Sequence, residues 1–234
     1  VIATVIAAVV GALGRTPRRR DLVLLSWGLV AGVAAQIVIG GLSVLFHLSP
    51  PYVMAHFLVS MLLVADATVL HHRAKRPDGA VVTTGPPQVR RWAWATVGLA
   101  AGVIMAGTVV TGAGPHGGDP EVDRLPILVR EATQVHAVLA LALLACATVT
   151  AILAWRRPGM PGRVEFLLAA VVAQIAIGYT QYFTGVPAGL VAAHVLGACL
   201  VWIAALRLLL GTETETSTPV VAEPADREPA LVRR

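Results

Sequence analysis

Six apolar runs, each about 20 residues or longer, follow one another near 22–45, 52–72, 92–112, 130–155, 164–183 and 188–210. At 1.5 Å per residue, about 20 residues of α-helix cross a hydrocarbon core of about 30 Å, so each run is long enough to span a bilayer. Hydrocarbon offers no partner to a free backbone amide or carbonyl. Only helices and closed barrels pair those groups internally, and long runs without alternation predict helices. A seventh stretch, 1–13, is too short to span and reads as the end of a helix that begins upstream. It has neither the basic start nor the small-residue cleavage site of a signal peptide. The soluble alternative is excluded by composition: 56% of the chain is hydrophobic and 13% charged, against about 25% charged in soluble domains. The expected fold class is an all-α polytopic membrane protein.

The net charge of +5 invites a nucleic-acid reading, but the basic residues lie in short connections between apolar runs. Arg15, Arg18, Arg19 and Arg20, then Arg73, Lys75, Arg76, Arg90 and Arg91, then Arg156, Arg157 and Arg163 fall in alternate connections. The intervening ones hold only Arg124 and Arg130. By the positive-inside rule the first set is cytoplasmic and the second faces outward. After Leu210 the chain turns to GlyThrGluThrGluThrSerThrPro and a mixed charged stretch, with too few apolar groups to offset the entropy of ordering. Residues 211–234 are therefore expected to form a disordered cytoplasmic tail.

The sequence repeats itself. AlaGlnIleValIleGly at 35–40 returns as AlaGlnIleAlaIleGly at 173–178, and ValMetAlaHisPheLeu at 53–58 returns as ValAlaAlaHisValLeu at 191–196, both at an offset of 138. Gln36 precedes His56 by twenty positions, as Gln174 precedes His194. Two polar residues matched in type and spacing within apolar runs point to a duplication. The offset spans four helices, an even number of crossings, so the repeats are parallel and each is a four-helix bundle. The expected organisation is 1–72 as the remainder of an N-terminal four-helix repeat, 73–91 as a cytoplasmic linker, and 92–210 as a C-terminal four-helix repeat. The architecture is thus two pseudosymmetric bundles, eight helices when complete and about seven in this sequence. Val1 aligns with Leu139, which puts the counterpart of His136 three positions before Val1.

His56, His136 and His194 each lie five to seven residues inside the outward end of a helix, roughly 7–10 Å below the boundary. Ionisable side chains at membrane depth are rare and mark functional sites by default. A proton relay normally also recruits carboxylates, and Asp66 is the one carboxylate well inside a span. Compact zinc or copper sites show closely spaced ligands, and none surrounds these histidines. Two histidines on different helices of one bundle, facing across a planar macrocycle, suit bis-imidazole haem ligation. Pairing within repeats joins His136 to His194. Gly40, Gly41, Gly102, Gly107, Gly178, Gly185 and Gly189 would let backbones approach a flat ligand, although small residues are also ordinary helix-packing material. Gln36 and Gln174 have three candidate partners: a haem propionate, a backbone carbonyl, or the other bundle. His47, His71, His72 and His116 read as ordinary exposed histidines, and Glu131 as a carboxylate favoured near a helix N-terminus. The segment 107–119 suggests a shaped outer loop that lids a site. Cys146 and Cys199 read as small hydrophobes within helices.

GlyThrValValThrGlyAlaGlyProHis before a helix, ValHisAlaValLeuAla on the next, and GlnIleAlaIleGlyTyr followed by AlaAlaHisValLeuGlyAla resemble the haem A synthase family of the actinobacterial type over about residues 1–210. The resemblance implies eight membrane helices in two pseudosymmetric halves and oxidation of the C8 methyl of haem O to the formyl group of haem A, the prosthetic group of terminal oxidases. It implies His136 and His194 as axial ligands of a haem b, and His56 as one axial ligand of the substrate haem. The family's fourth histidine and its catalytic glutamate would precede Val1, and the outer-loop cysteines of many members are absent from this sequence. The implied setting is the bacterial plasma membrane, with haem sites toward the outer face and the C-terminus cytoplasmic. Haem O synthase and terminal oxidase assembly are the implied partners, besides membrane lipid. Two other readings use the same features: a membrane b-type cytochrome that transfers electrons without methyl oxidation, and a transporter, whose site would lie at midplane rather than near one face.

Overall fold

A computed structural model describes residues 1–78, 81–114 and 121–216. Its helices are α1 (Ile2–Gly14), α2 (Arg20–Leu45), α3 (Pro50–Ala74), α4 (Pro87–Ala113), α5 (Val129–Ala154), α6 (Pro161–Phe183) and α7 (Ala188–Leu210). Each from α2 to α7 is long and apolar enough to cross a membrane. This is a multi-pass helical membrane protein. Three of the helices begin earlier than the apolar runs because proline opens them: Pro50, Pro87 and Pro161 occupy first-turn positions, where the missing amide is no loss.

Helices α4 to α7 close into a ring, each packed on its sequence neighbour and α4 on α7. Helices α1, α2 and α3 form a row that joins this ring where α3 meets α4 and α7. The core lies in the ring, toward its arginine-rich end. Ala93, Val97 and Ala100 of α4 meet Leu143, Ala147 and Ala151 of α5, Leu167 and Val171 of α6, and Trp202, Ala205 and Leu208 of α7. Lipid is as apolar as these side chains, so close packing rather than hydrophobic transfer holds them together. Buried polar pairs add direction. Thr96 and Thr150 share a hydrogen bond of 3.0 Å between α4 and α5, and the Trp202 indole donates to the Met61 carbonyl at 2.9 Å, linking the ring to α3.

The α2–α3 and α6–α7 hairpins turn alike. Their connections, 46–49 and 184–187, are both four residues long. In one the Phe46 amide donates to Leu42 and the Leu48 amide to Ser43; in the other Thr184 donates to Thr180 and Val186 to Gln181. Each bond in the second turn is the first shifted by 138. Left-handed backbone falls at His47 and Leu48, and again at Gly185 and Val186.

The connection between the halves and the tail depart from expectation. Helix α3 runs to Ala74 and α4 starts at Pro87, so 73–74 and 87–91 belong to helices and the connection is 75–86. Between them β1 (Val81–Thr84) pairs antiparallel with β2 (Glu213–Thr216), Val81 opposite Thr216 and Thr84 opposite Glu213. The region expected to be disordered from 211 therefore continues as structure through Thr216, and 217–234 lie outside the described residues. Composition misses this because the order comes from a distant partner: the Gly85 amide donates to the Thr212 carbonyl at 2.8 Å and Arg76 pairs with Glu213. Arg15 adds an ion pair to Asp78 at 3.0 Å and a hydrogen bond to the Ala74 carbonyl.

Candidate functional site

Three helix hairpins each carry one histidine against one glycine. His56 of α3 lies against Gly40 of α2, His136 of α5 against Gly107 of α4, and His194 of α7 against Gly178 of α6. A methyl group added at these glycines would stand 3.2, 3.1 and 3.3 Å from the respective Cε1 atoms. The sequence reading grouped seven glycines as close-approach positions for a flat ligand. Gly40, Gly107 and Gly178 make room for imidazoles, and among the described residues Gly41, Gly102, Gly185 and Gly189 meet nothing within 4 Å. The equal separation of Gly40 from His56 and of Gly178 from His194 was the available signal.

Of the three partners open to the glutamines, both take a backbone carbonyl. Gln36 Nε2 donates to the carbonyl of His56 at 3.0 Å and to Ser60 Oγ at 2.5 Å, while Gln174 Nε2 donates to the carbonyl of His194 at 2.6 Å. Each amide thus clasps the neighbouring helix at its histidine and fixes the register of the hairpin. Gly197 leaves space for the Gln174 amide. Ser60 went unnoticed in the sequence, although a hydroxyl in an apolar run was the clue.

In the second half the histidines converge. The rings of His136 and His194, on diagonally opposed helices, have centroids 6.2 Å apart and planes inclined by 66°. His136 Nδ1 lies 3.0 Å from the carbonyl of Val103, a backbone partner that no sequence pattern advertises. That contact makes Nδ1 the protonated nitrogen and leaves the Nε2 lone pair free. With metal–imidazole bonds of about 2 Å, and each ring centre about 1.1 Å behind its nitrogen, a shared metal separates two ring centres by about 6 Å. In spacing, the pair therefore fits bis-imidazole ligation. No three His, Cys, Asp or Glu side chains converge into a metal cluster among the described residues. The bundle is filled below this level; at it, 133–142 of α5, 172–183 of α6 and 188–200 of α7 hold no fully buried residue, while Ile104 and Thr108 of α4 are buried.

His56 lies elsewhere, lining a groove of about 940 Å³ between α1, α2 and α3 together with Gln36, Ser60, Leu29, Val33 and Leu63. Among the described residues its Nδ1 is buried without a hydrogen-bond partner, as is that of His194. His47 is exposed in the first turn and His71 is exposed at the far end of the groove. Glu131 is exposed at the start of α5. Residues 107–113, expected within an outer loop, are the last two turns of α4, because glycines flanked by helical neighbours in an apolar setting need not end a helix. Residues 115–120, including His116, lie outside the described residues. Asp66 packs its carboxylate against Gly28 of α2. Cys146 and Cys199 are free thiols within helices, as expected.

Residues 1–116 match the sequence model of the COX15-CtaA family, cytochrome oxidase assembly protein. The match takes in α1 to α4 with Gln36, Gly40, His56 and Gly107. No curated protein matches the chain.

Proposed function

With residues 1–116 belonging to the COX15-CtaA family of cytochrome oxidase assembly proteins, we propose that the protein is a haem A synthase, which oxidises the C8 methyl of haem O to a formyl group. The conversion is a four-electron oxidation: with water as the oxygen source, the methyl group plus one water would give the formyl group, four protons and four electrons, and the electrons would leave to an external one-electron acceptor. The observation that carries the proposal is the His136–His194 pair, two imidazoles one metal-bridging distance apart with one of them already anchored through Nδ1. These two residues would hold haem b, which when bound would supply one-electron transfer. His56, in the other half, would hold the substrate haem O.

The chain's own groups then have distinct tasks. The Val103 carbonyl holds the His136 proton on Nδ1, so Nε2 faces the metal site. Gln36 and Gln174 pin the helices that carry His56 and His194. The close-packed core below His136 and His194 keeps water from the arginine-rich side. By the distribution of arginine, the histidine level faces outward across the plasma membrane and the C-terminus is cytoplasmic. Haem O synthase and the terminal oxidase assembly pathway are the proposed neighbours. The ring of α4 to α7 is one four-helix module, and α1, α2 and α3 belong to a second, related to α5, α6 and α7 by the offset of 138.

The test is to extract pigment from membranes that carry the protein and are supplied with haem O, and to separate the haems by chromatography. Haem A is expected. Bound haem b with no haem A formed would overturn the synthase reading in favour of a b-type cytochrome.

A further inference from the structure

The three glycine contacts all engage the same edge of the imidazole. At Gly40, Gly107 and Gly178, Cε1 and Nδ1 lie within 4 Å of the position a Cβ would take, and Nε2 lies beyond it. At His136 the nitrogen on that edge also meets the carbonyl of Val103, four residues before Gly107 and so one turn away on the same face of α4. Glycines on these helices meet different things: among the described residues Gly41, Gly98 and Gly102 meet nothing within 4 Å, while Gly28, Gly32 and Gly112 meet Asp66, Leu63 and Leu125. What the three at the histidines share is the same imidazole edge.

We propose that Gly40, Gly107 and Gly178 are positioning residues, each admitting one imidazole edge to the backbone of the neighbouring helix and thereby fixing Nε2 as the nitrogen that faces away from it. A methyl group 3.1 Å from His136 Cε1 is tighter than nine in ten real Cβ contacts, so the ring must give by a few tenths of an ångström. It would tilt away from the Val103 carbonyl and loosen the anchor on Nδ1. The selection of Nε2 as the iron ligand rests on the haem reading above; the orientation of the ring does not.

The experiment compares the purified protein with its Gly107→Ala and Gly178→Ala variants, using Gly98→Ala and Gly102→Ala as controls on α4. Two readouts are taken on each. In haem-loaded protein, the low-spin electron paramagnetic resonance signal and the midpoint potential should move for Gly107→Ala and Gly178→Ala, with haem held about tenfold less tightly. The controls should match the parent. In haem-free protein labelled with ¹⁵N-histidine, the parent should show one histidine protonated on Nδ1, and Gly107→Ala should lose that pattern. Gly178→Ala, with the widest of the three gaps, is the milder change and keeps the test usable if Gly107→Ala does not fold. Variants indistinguishable from the controls in both readouts would overturn the proposal. If the parent takes up no haem, the haem reading fails while the nitrogen spectrum alone still decides on positioning: an altered pattern supports it and an unaltered one overturns it.

Discussion

The α2–α3 and α6–α7 hairpins share a turn, a glycine–histidine contact and a glutamine clasp, yet their inner faces meet different surroundings. Leu29, Val33 and Leu63 line an open groove. The residues at the same repeat positions, Leu167, Val171 and Val201, belong to the close-packed core. The difference comes from α4, whose Ala93, Val97, Ala100 and Ile104 help to build that core. The local scaffold that aims a histidine is thus encoded within a single hairpin. Its burial, and the second imidazole that meets it, are supplied by neighbouring helices.

The strongest way to break this comparison is to remove the histidines one at a time. His136→Ala or His194→Ala should abolish the haem b absorption band, whereas His56→Ala should leave it in place; optical difference spectra of purified protein report the outcome. An equal loss in all three would show that the halves do not hold separate sites. Next in size is packing. Leu167→Ala should cost about 3 kcal/mol in a reversible unfolding assay in micelles, because it opens a cavity in the core. Leu63→Ala, half-buried beside the groove, should cost less than half of that. The clasps come third. Gln36→Leu breaks two hydrogen bonds and Gln174→Leu one, at about 0.6 kcal/mol for each bond within a membrane, so the first variant should be the more destabilised. The smallest effect lies in the turns. His47→Gly should stabilise by about 1 kcal/mol, since it relieves left-handed backbone, and Gly185→Ala should destabilise by a similar amount.

Much of this was legible because a bilayer leaves few choices. Six spans and their limits followed from length and hydropathy, with the largest errors where a proline begins a helix before the apolar residues do and smaller ones where charged residues extend it, as at the start of α2 and the end of α3. His56, His136, His194, Gln36 and Gln174 stood out as polar groups in apolar runs, and the repeat paired four of them. What could not be read depends on backbone brought from elsewhere in the chain. The Val103 carbonyl beside His136 carries no side-chain signature. The ladder between Val81–Thr84 and Glu213–Thr216 joins segments that are each unremarkable alone. Gly107 looked like the start of a loop because its meaning depends on the ring packed against it from α5. Trp202 reads as one more apolar residue until its indole is seen to bind Met61 across the boundary between the halves.

The four-residue reversals at 46–49 and 184–187 act as rulers. His56 is the seventh residue of α3 and His194 the seventh of α7, so both imidazoles are measured off from a turn of fixed length. One residue inserted between the turn and the histidine would swing the ring by about 100° around its helix and lift it off its glycine. Connections between helices usually tolerate changes in length. In this protein the shortest ones are the segments where a single added residue would do most harm.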